Sequence, residues 1–399
     1  MLKSLNIQRR SLLLGGAGIV AAGGLGARSF AQEAGAAAVP SPLPKDLHWK
    51  NDDALIVHSA NTIETKREHA GRSIITPLDE LFVRNNVAPP PSAITENPDA
   101  WQVSIEGVKE PRTMTVAELK TIGVETVASV LQCSGNGRGF FDHKPSGTAW
   151  TVGAAGCVLW TGVPVRAVVE ALGDLVAGSQ FMTGTGGEPI PAGLDPNTLV
   201  VERSLPLEAM ETAILAWEAN GKPLPLAHGG PLRLIVPGYF GVNNIKYITK
   251  LAFTEQESQA RIQASSYRVR PMGEKGGAGF PSMWKMPIKS WVRDPVTTAA
   301  SGRVQIHGIA FGGEGGVKSV EVSADGGESW RPARLVGPDL GPYAWRTFVL
   351  SAELKPGQVV LASRGTDSSG TQQPEVMEVN ERGYGHNGWR SHAVTVTIT

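Results

Sequence analysis

From residue 291 onward the chain is written in short alternating runs, "GRVQIHGIAF", "VKSVEVSADGGESW", "YAWRTFVL", "QVVLASRGTD" and "SHAVTVTI", separated by turn residues. Successive side chains of a strand point to opposite faces, so each run can bury one face and leave the other wet. The segment "SADGGESW" carries a hairpin signal, and Val394, Val396 and Ile398 share one face of a last strand. That many strands in roughly a hundred residues restrict this part of the chain to an all-β architecture, an immunoglobulin-like sandwich.

The texture upstream differs. "WQVSIEGV" alternates as a strand, "TMTVAELKTIG" sets Thr115 and Glu118 at capping-box spacing with Gly123 as a stop, and "ETVASVLQ" is a strand running straight into Cys133. "TGVPVRAVVEALGD" reads as a helix with a proline in its first turn, ending near Gly173. The mixture is an α+β pattern, and 399 residues exceed what one hydrophobic core usually supports, so two domains are expected. The shifts in texture place an export signal over 1–31, a Pro- and Ala-rich extended arm over 32–80 and a mixed α/β domain over 81–265. A Gly- and Pro-rich connection over 266–290 then leads to the sandwich over 291–399.

The first segment, "NIQRRSLLLGGAGIVAAGGLGARSFAQE", has a charged start, a weakly apolar middle and a small-residue cleavage pattern. Arg9 and Arg10 directly before "SLLL" match the twin-arginine signal, the alternative being an ordinary secretory signal that carries two arginines. Its glycines keep the segment below the hydrophobicity of a spanning helix, so the expectation is a periplasmic protein with no membrane anchor after signal removal. Charge adds an exclusion: 37 basic and 37 acidic residues give no electrostatic footprint for nucleic acid. Any anion the chain handles must be bound by a local cluster of cations.

Only two cysteines are present, and Cys133 opens the loop "CSGNGR". The glycines after it allow a sharp turn and a close approach to a ligand, and Arg138 favours the thiolate, the form that acts as nucleophile or soft metal ligand. Four readings stand side by side: a disulfide with Cys157, which leads for an exported chain, a nucleophile, a metal thiolate and a plain buried thiol. In "HGGPLRLIVPGYFGVNNIKYI" the cations Arg233 and Lys246, with His228, Asn243 and Asn244 around glycine turns, suit a phosphate-bearing polar ligand. A β-hairpin with solvated charges is the competing reading. Arg84 in "FVRNN" and Arg382 in "NERGYGHNGW" are surface charges unless they converge with Arg138.

In this order and at these separations, "FVRNN" followed by prolines, "LQCSGNGR", "HGGPLRLIVPGYFGVNNIKYI" and "NERGYGHNGW" resemble the sulfite oxidase family of molybdenum enzymes. The likeness runs from about Leu81 to the C-terminus and is greatest to exported bacterial sulfite dehydrogenases. It implies a sulfite-oxidase-type mixed α/β molybdopterin domain followed by the immunoglobulin-like dimerisation domain, and hence a homodimer or higher homo-oligomer. It also implies a molybdenum–molybdopterin cofactor, with no haem in this chain. Cys133 would be the single protein ligand to the metal. Arg84, Arg138 and Arg382 would form the pocket for sulfite, Trp150 would line it, and Tyr267 falls where the family has its active-site tyrosine. Arg84, Asn85, Asn86, His228, Arg233, Asn244, Ile245 and Lys246 would hold the pterin and its phosphate.

The activity the resemblance implies is oxidation of sulfite to sulfate, with electrons passed singly to an external c-type cytochrome. Two alternatives remain at this level: a molybdopterin oxidoreductase acting on another oxyanion or a sulfoxide, and an exported binding protein with a Cys133–Cys157 disulfide. The sequence departs from the family at two points. Asn86 stands where the family usually has a histidine, and Gly137 where many relatives carry an arginine before the one matching Arg138. The acidic residue that relatives use near the pterin has no clear match in "TGTGGEPIPAG", within Thr183 to Gly193. Cys157, Trp217 and Trp330 read as core.

Overall fold

A computed structural model describes residues 42–399; the export segment with Arg9 and Arg10, and the first part of the arm, lie outside the described residues. The rest of that arm is not extended. Residues Lys45–Leu47 and Asp52–Ala54 form 3-10 turns, and Leu55–Ser59 and Thr62–Thr65 form an antiparallel hairpin whose second strand pairs with Val83–Arg84. Leu47, Ala54, Leu55, Ile63 and Val83 share a small apolar cluster. Burying those side chains removes enough apolar surface from water to order a segment whose Pro and Ala content suggested none.

The mixed domain is built on two five-stranded sheets. In the first, Glu125–Gln132 pairs along its whole length with Ala155–Pro164, from Glu125 opposite Gly162 to Gln132 opposite Ala155. Ile214–Ala219 continues that sheet and is joined by Lys222–Pro223 and Arg233–Ile235, all antiparallel. In the second, Ile248–Thr254 lies parallel to Gln102–Glu106 and antiparallel to Phe181–Gly186, with Arg112–Thr115 and Glu202–Pro206 at the edges. The helix Val116–Ile122 starts at the expected capping box, Thr115 Oγ1 accepting from the Glu118 N–H and Glu118 accepting from the Thr115 N–H. Pro164 sits at the N-cap of Val165–Ala171 rather than inside its first turn, because "TGVP" completes the preceding strand.

Beyond the connection, Lys289–Asp294, Gly302–Phe311, Arg346–Leu354 and Arg334–Val336 form one sheet of the sandwich. Thr298–Ala299, Val394–Ile398, Gly357–Asp367, Val317–Ser323 and Arg331–Pro332 form the other. Ile306, Val320, Phe348, Leu361 and Val396 fill the space between them, and Val396 and Ile398 point inward as the alternation requires. A separate apolar cluster joins the two domains: Val130, Val152 and Cys157 from one, Trp291, Phe311, Trp345 and Tyr384 from the other. The Val130 N–H also donates to the Tyr343 carbonyl at 2.9 Å, so the strand that delivers Cys133 is held from both sides.

Candidate active site

Cys133 leaves the end of its strand with its N–H on the Ala154 carbonyl (2.9 Å), and its own carbonyl accepts from the Asn136 N–H (2.9 Å), closing a tight turn. Asn136 locks that turn by donating to Gln132 Oε1 (3.1 Å) and accepting from the Ala154 N–H (3.1 Å). Gly137 has a φ of +93°, and a Cβ there would stand 2.9 Å from the His386 Cβ, so this loop needs glycine at that position. Both cysteines are free. Cys157 lies opposite Val130 in the ladder, three residues short of Cys133, which removes the disulfide reading. Burial pushes the Cys157 thiol up to about 12, whereas Cys133 is partly exposed.

Cys133 opens into a cleft whose atom-free space, open solvent included, is about 640 Å³. Of the residues singled out from sequence, Arg84, Asn85, Asn86, His228, Arg233, Asn244, Ile245, Lys246 and Tyr267 line the same cleft. The "RNN" stretch ties its parts together. Asn86 Oδ1 accepts from Arg84 (2.7 Å) and from the Tyr267 hydroxyl (3.1 Å), while Asn85 Oδ1 accepts from Lys246 (2.7 Å). Asn86 thus ties Arg84 and Tyr267 together through its amide oxygen. Arg233 donates to the His228 carbonyl (2.7 Å) and to the Asn244 carbonyl (3.2 Å), which stiffens the segment read as a cation cradle. That segment is no hairpin: Arg233–Ile235 pairs with Ile214–Ala219, and Gly241–Asn243 is a 3-10 turn.

Three expected pocket residues lie elsewhere. Trp150 is fully buried and packs edge-on against Phe82 at 6.4 Å, so Phe82 takes the lining position and Trp150 the apolar layer behind it. Arg138 and Arg382 do meet, as Arg138 Nε donates to the Arg382 carbonyl (2.9 Å) and Arg138 also donates to the Thr148 carbonyl (3.1 Å), but neither lines this cleft. Both lie beside Tyr384, whose ring carries the Arg138 guanidinium at 5.3 Å and stacks on Tyr267 at 5.2 Å. The arginines are thus connected to the cleft through two stacked tyrosines.

Glu188, which sequence reasoning did not place, also lines the cleft. Burial pushes its carboxyl up to about 7, against the pull of Lys246 and Arg233, and its Oε2 is buried without a hydrogen-bond partner. Lys246 is driven well below the usual lysine range by burial and by the Arg233 charge, and His228 is held neutral by burial and by Lys50, Lys246 and Arg233. This is a cation-rich cleft with one unsatisfied carboxylate oxygen and one accessible thiol. It suits a ligand that brings an anionic group, N–H donors and a soft metal.

Comparison with known proteins gives the class of this fold and cleft, that of a molybdopterin oxidoreductase. Residues 88–262 match the oxidoreductase molybdopterin binding domain and residues 281–398 the Mo-co oxidoreductase dimerisation domain. The mitochondrial sulfite oxidase of Rattus norvegicus is 30% identical over 387 residues, an alignment covering 90% of this chain and 69% of that protein. The mitochondrial sulfite oxidase of Homo sapiens is 29% identical, covering 81% of this chain and 64% of its own length. The crystal structure of the sulfane dehydrogenase SoxCD from Paracoccus pantotrophus superposes with a TM-score of 0.69 at 24% identity, over 86% of this chain and 88% of that one. The chain belongs to the sulfite oxidase family of molybdenum enzymes.

The residues present fit the family's cofactor. The partly exposed Cys133 supplies a soft sulfur, Arg233 and Arg84 supply charge and Lys246 N–H donors for a phosphate, and the unpartnered Glu188 Oε2 supplies an acceptor for a pterin N–H.

Proposed function

We propose that this chain is a sulfite dehydrogenase, oxidising sulfite to sulfate and releasing electrons one at a time to a c-type cytochrome. The observation that carries the reading is one cleft that joins a free thiol, Arg84 and Tyr267 to the Arg233–Lys246 cations. A bound molybdenum–pterin group supplies two-electron chemistry at sulfur; the chain's own residues bind, orient and handle the proton. Cys133 would hold the metal, while Lys246, Arg233 and Glu188 would hold the pterin end. Arg84 offers a fixed positive charge to the oxyanion, its orientation set by Asn86. The Tyr267 hydroxyl, which donates to Asn86 Oδ1, would turn from that amide to donate toward the oxygen atoms of substrate or product.

Arg138 and Arg382 would add positive field from behind the Tyr267–Tyr384 stack. The matched dimerisation domain supports a homodimer, and Arg9–Arg10 before "SLLL" supports export to the periplasm by the twin-arginine route.

The decisive measurement is sulfite-dependent reduction of cytochrome c by purified, molybdenum-quantified protein. Turnover scaling with molybdenum content upholds the reading; no sulfite turnover, with reduction of a sulfoxide instead, replaces it. Within that assay Arg84→Gln should raise KM for sulfite about tenfold, since a charge-assisted hydrogen bond contributes roughly 1.5–3 kcal/mol. An unchanged KM removes Arg84 from the substrate site.

A further inference from the structure

Tyr267 has a neighbour that the reading above does not use. Its ring stacks on Tyr384, with centroids 5.2 Å apart and planes 13° off parallel, and the Arg203 guanidinium lies over it at 5.8 Å from the centroid. That distance is within cation–π range. Arg203 comes from the edge strand Glu202–Pro206 and is fully buried. The three hydrogen bonds it makes among the described residues all go to neutral acceptors. Nε donates to Asn243 Oδ1 (3.2 Å), Nη1 to the Ile262 carbonyl (2.9 Å) and Nη2 to Ser282 Oγ (2.7 Å). The nearby carboxylate of Glu257 is paired with Arg268. Burial and the Arg268 charge pull Arg203 down to about 9, so it stays cationic near neutrality.

Each of those acceptors leads to Tyr267. Ile262 opens the π-helical turn Ile262–Ser266, which Tyr267 caps, and such turns are rare and recur at functional sites. Ser282 precedes Met283, whose N–H donates to the Tyr267 carbonyl at 3.0 Å, and Asn243 Nδ2 donates to the Met283 carbonyl at 2.7 Å. One planar fork thus joins the segments that fix the Tyr267 backbone, while its charge faces the ring. A buried cation with neutral hydrogen-bond partners is costly, and stability alone is better served by apolar packing. We propose that Arg203 is a positioning residue for Tyr267: through its fork and its ring contact it fixes the phenol in one orientation, so that the hydroxyl can turn between Asn86 and the oxygen atoms of an oxyanion. This rests on Tyr267 donating to substrate, as proposed above, but the fixed ring can be measured without turnover.

The test compares Arg203→Met and Arg203→Lys with the parent in the full, cofactor-loaded chain. 3-Fluorotyrosine is incorporated at its five tyrosines, and Tyr267→Phe identifies the Tyr267 fluorine resonance. In Arg203→Met that resonance should shift and broaden while those of Tyr239, Tyr247 and Tyr343 stay, and Arg203→Lys, which keeps the charge, should fall between Met and parent. With sulfite, Arg203→Met should lower kcat about tenfold, within the roughly 10²–10⁴ that a positioned proton-handling group contributes, and change KM by less than about twofold. In a Tyr267→Phe background the same substitution should change kcat by less than about twofold, because residues that act as a unit are not additive. An equal loss in both backgrounds, or a Tyr267 resonance that stays while the others move, would show a general effect on the fold and overturn the proposal. A folded Arg203→Met with the parent's kcat and spectrum overturns it as well. Should Arg203→Met not fold, Arg203→Lys carries the same comparisons in both backgrounds. A parent that does not turn over sulfite ends the sulfite reading and leaves the fluorine comparison to decide the role of Arg203.

Discussion

Glu188 shows how a site residue can escape sequence reading. Cys133, Arg84, Tyr267 and Lys246 sit in motifs with spacing, and all line the cleft. Glu188 sits alone in a Gly- and Pro-rich loop, where nothing distinguishes it from a solvated carboxylate. Only the fold, which turns that loop inward after Phe181–Gly186, brings it to the cleft that Lys246 and Arg233 also line. Trp150 fails in the opposite direction: its neighbourhood in sequence is right, but the layer of Phe82 in front of it is visible only in three dimensions. The burial of Glu188 has a consequence for stability. Its carboxyl rises from 4.5 to about 7 on folding, so the folded chain binds the extra proton and the stability this gives is full below about 4.5. It is lost as pH rises through about 7. In cofactor-free protein, Glu188→Gln should therefore match the parent near pH 4.5 and exceed it in thermal stability by pH 8. A pH-independent difference between the two melting curves would refute the assignment.

At the scale of elements, the hairpin Leu55–Ser59/Thr62–Thr65 matters beyond its size. It carries Glu64, which is fully buried and accepts from the Thr151 N–H (2.8 Å), the Thr151 hydroxyl (2.5 Å) and the Gly153 N–H (3.0 Å), with His58 on its other oxygen at 2.7 Å. One carboxylate thus organises the loop between Trp150 and the Ala155–Pro164 strand, the partner of the strand that delivers Cys133. Glu64→Ala leaves the buried Gly153 N–H unpaired and takes the acceptor from the Thr151 donors, and should destabilise the chain by about 2 kcal/mol, while Glu64→Gln, which keeps an acceptor, should lose less. Urea unfolding ranks the two; equal losses would mean that volume rather than hydrogen bonding sets the cost. The strands and helices near this loop were legible because period and caps are local: Glu125–Gln132 has the expected bounds, and Thr115 and Glu118 make the expected box. The hairpin was not, since its apolar residues gain their meaning only from contact with Val83, far along the chain.

At the scale of the whole molecule, the change in texture after the connection marks a true change of architecture, from mixed sheets to a sandwich. What texture does not reveal is that the two parts share apolar surface. Val130, Val152 and Cys157 of one meet Trp291, Phe311 and Trp345 of the other, and the Trp345 indole N–H donates to the Ile74 carbonyl at 2.6 Å. Such a junction makes neither core independent, since unfolding the sandwich would expose the back of the sheet that carries Cys133. Trp345→Ala should therefore cost about 4 kcal/mol, lost from the chain as a whole. Calorimetry should show one transition moved to lower temperature, and buried Cys157 should become reactive toward a thiol reagent in step with loss of sandwich structure. Two separate transitions, the first leaving Cys157 protected, would mean that the domains fold independently and that the shared cluster only glues them. A single transition would tie the geometry of the catalytic cleft to the integrity of the sandwich.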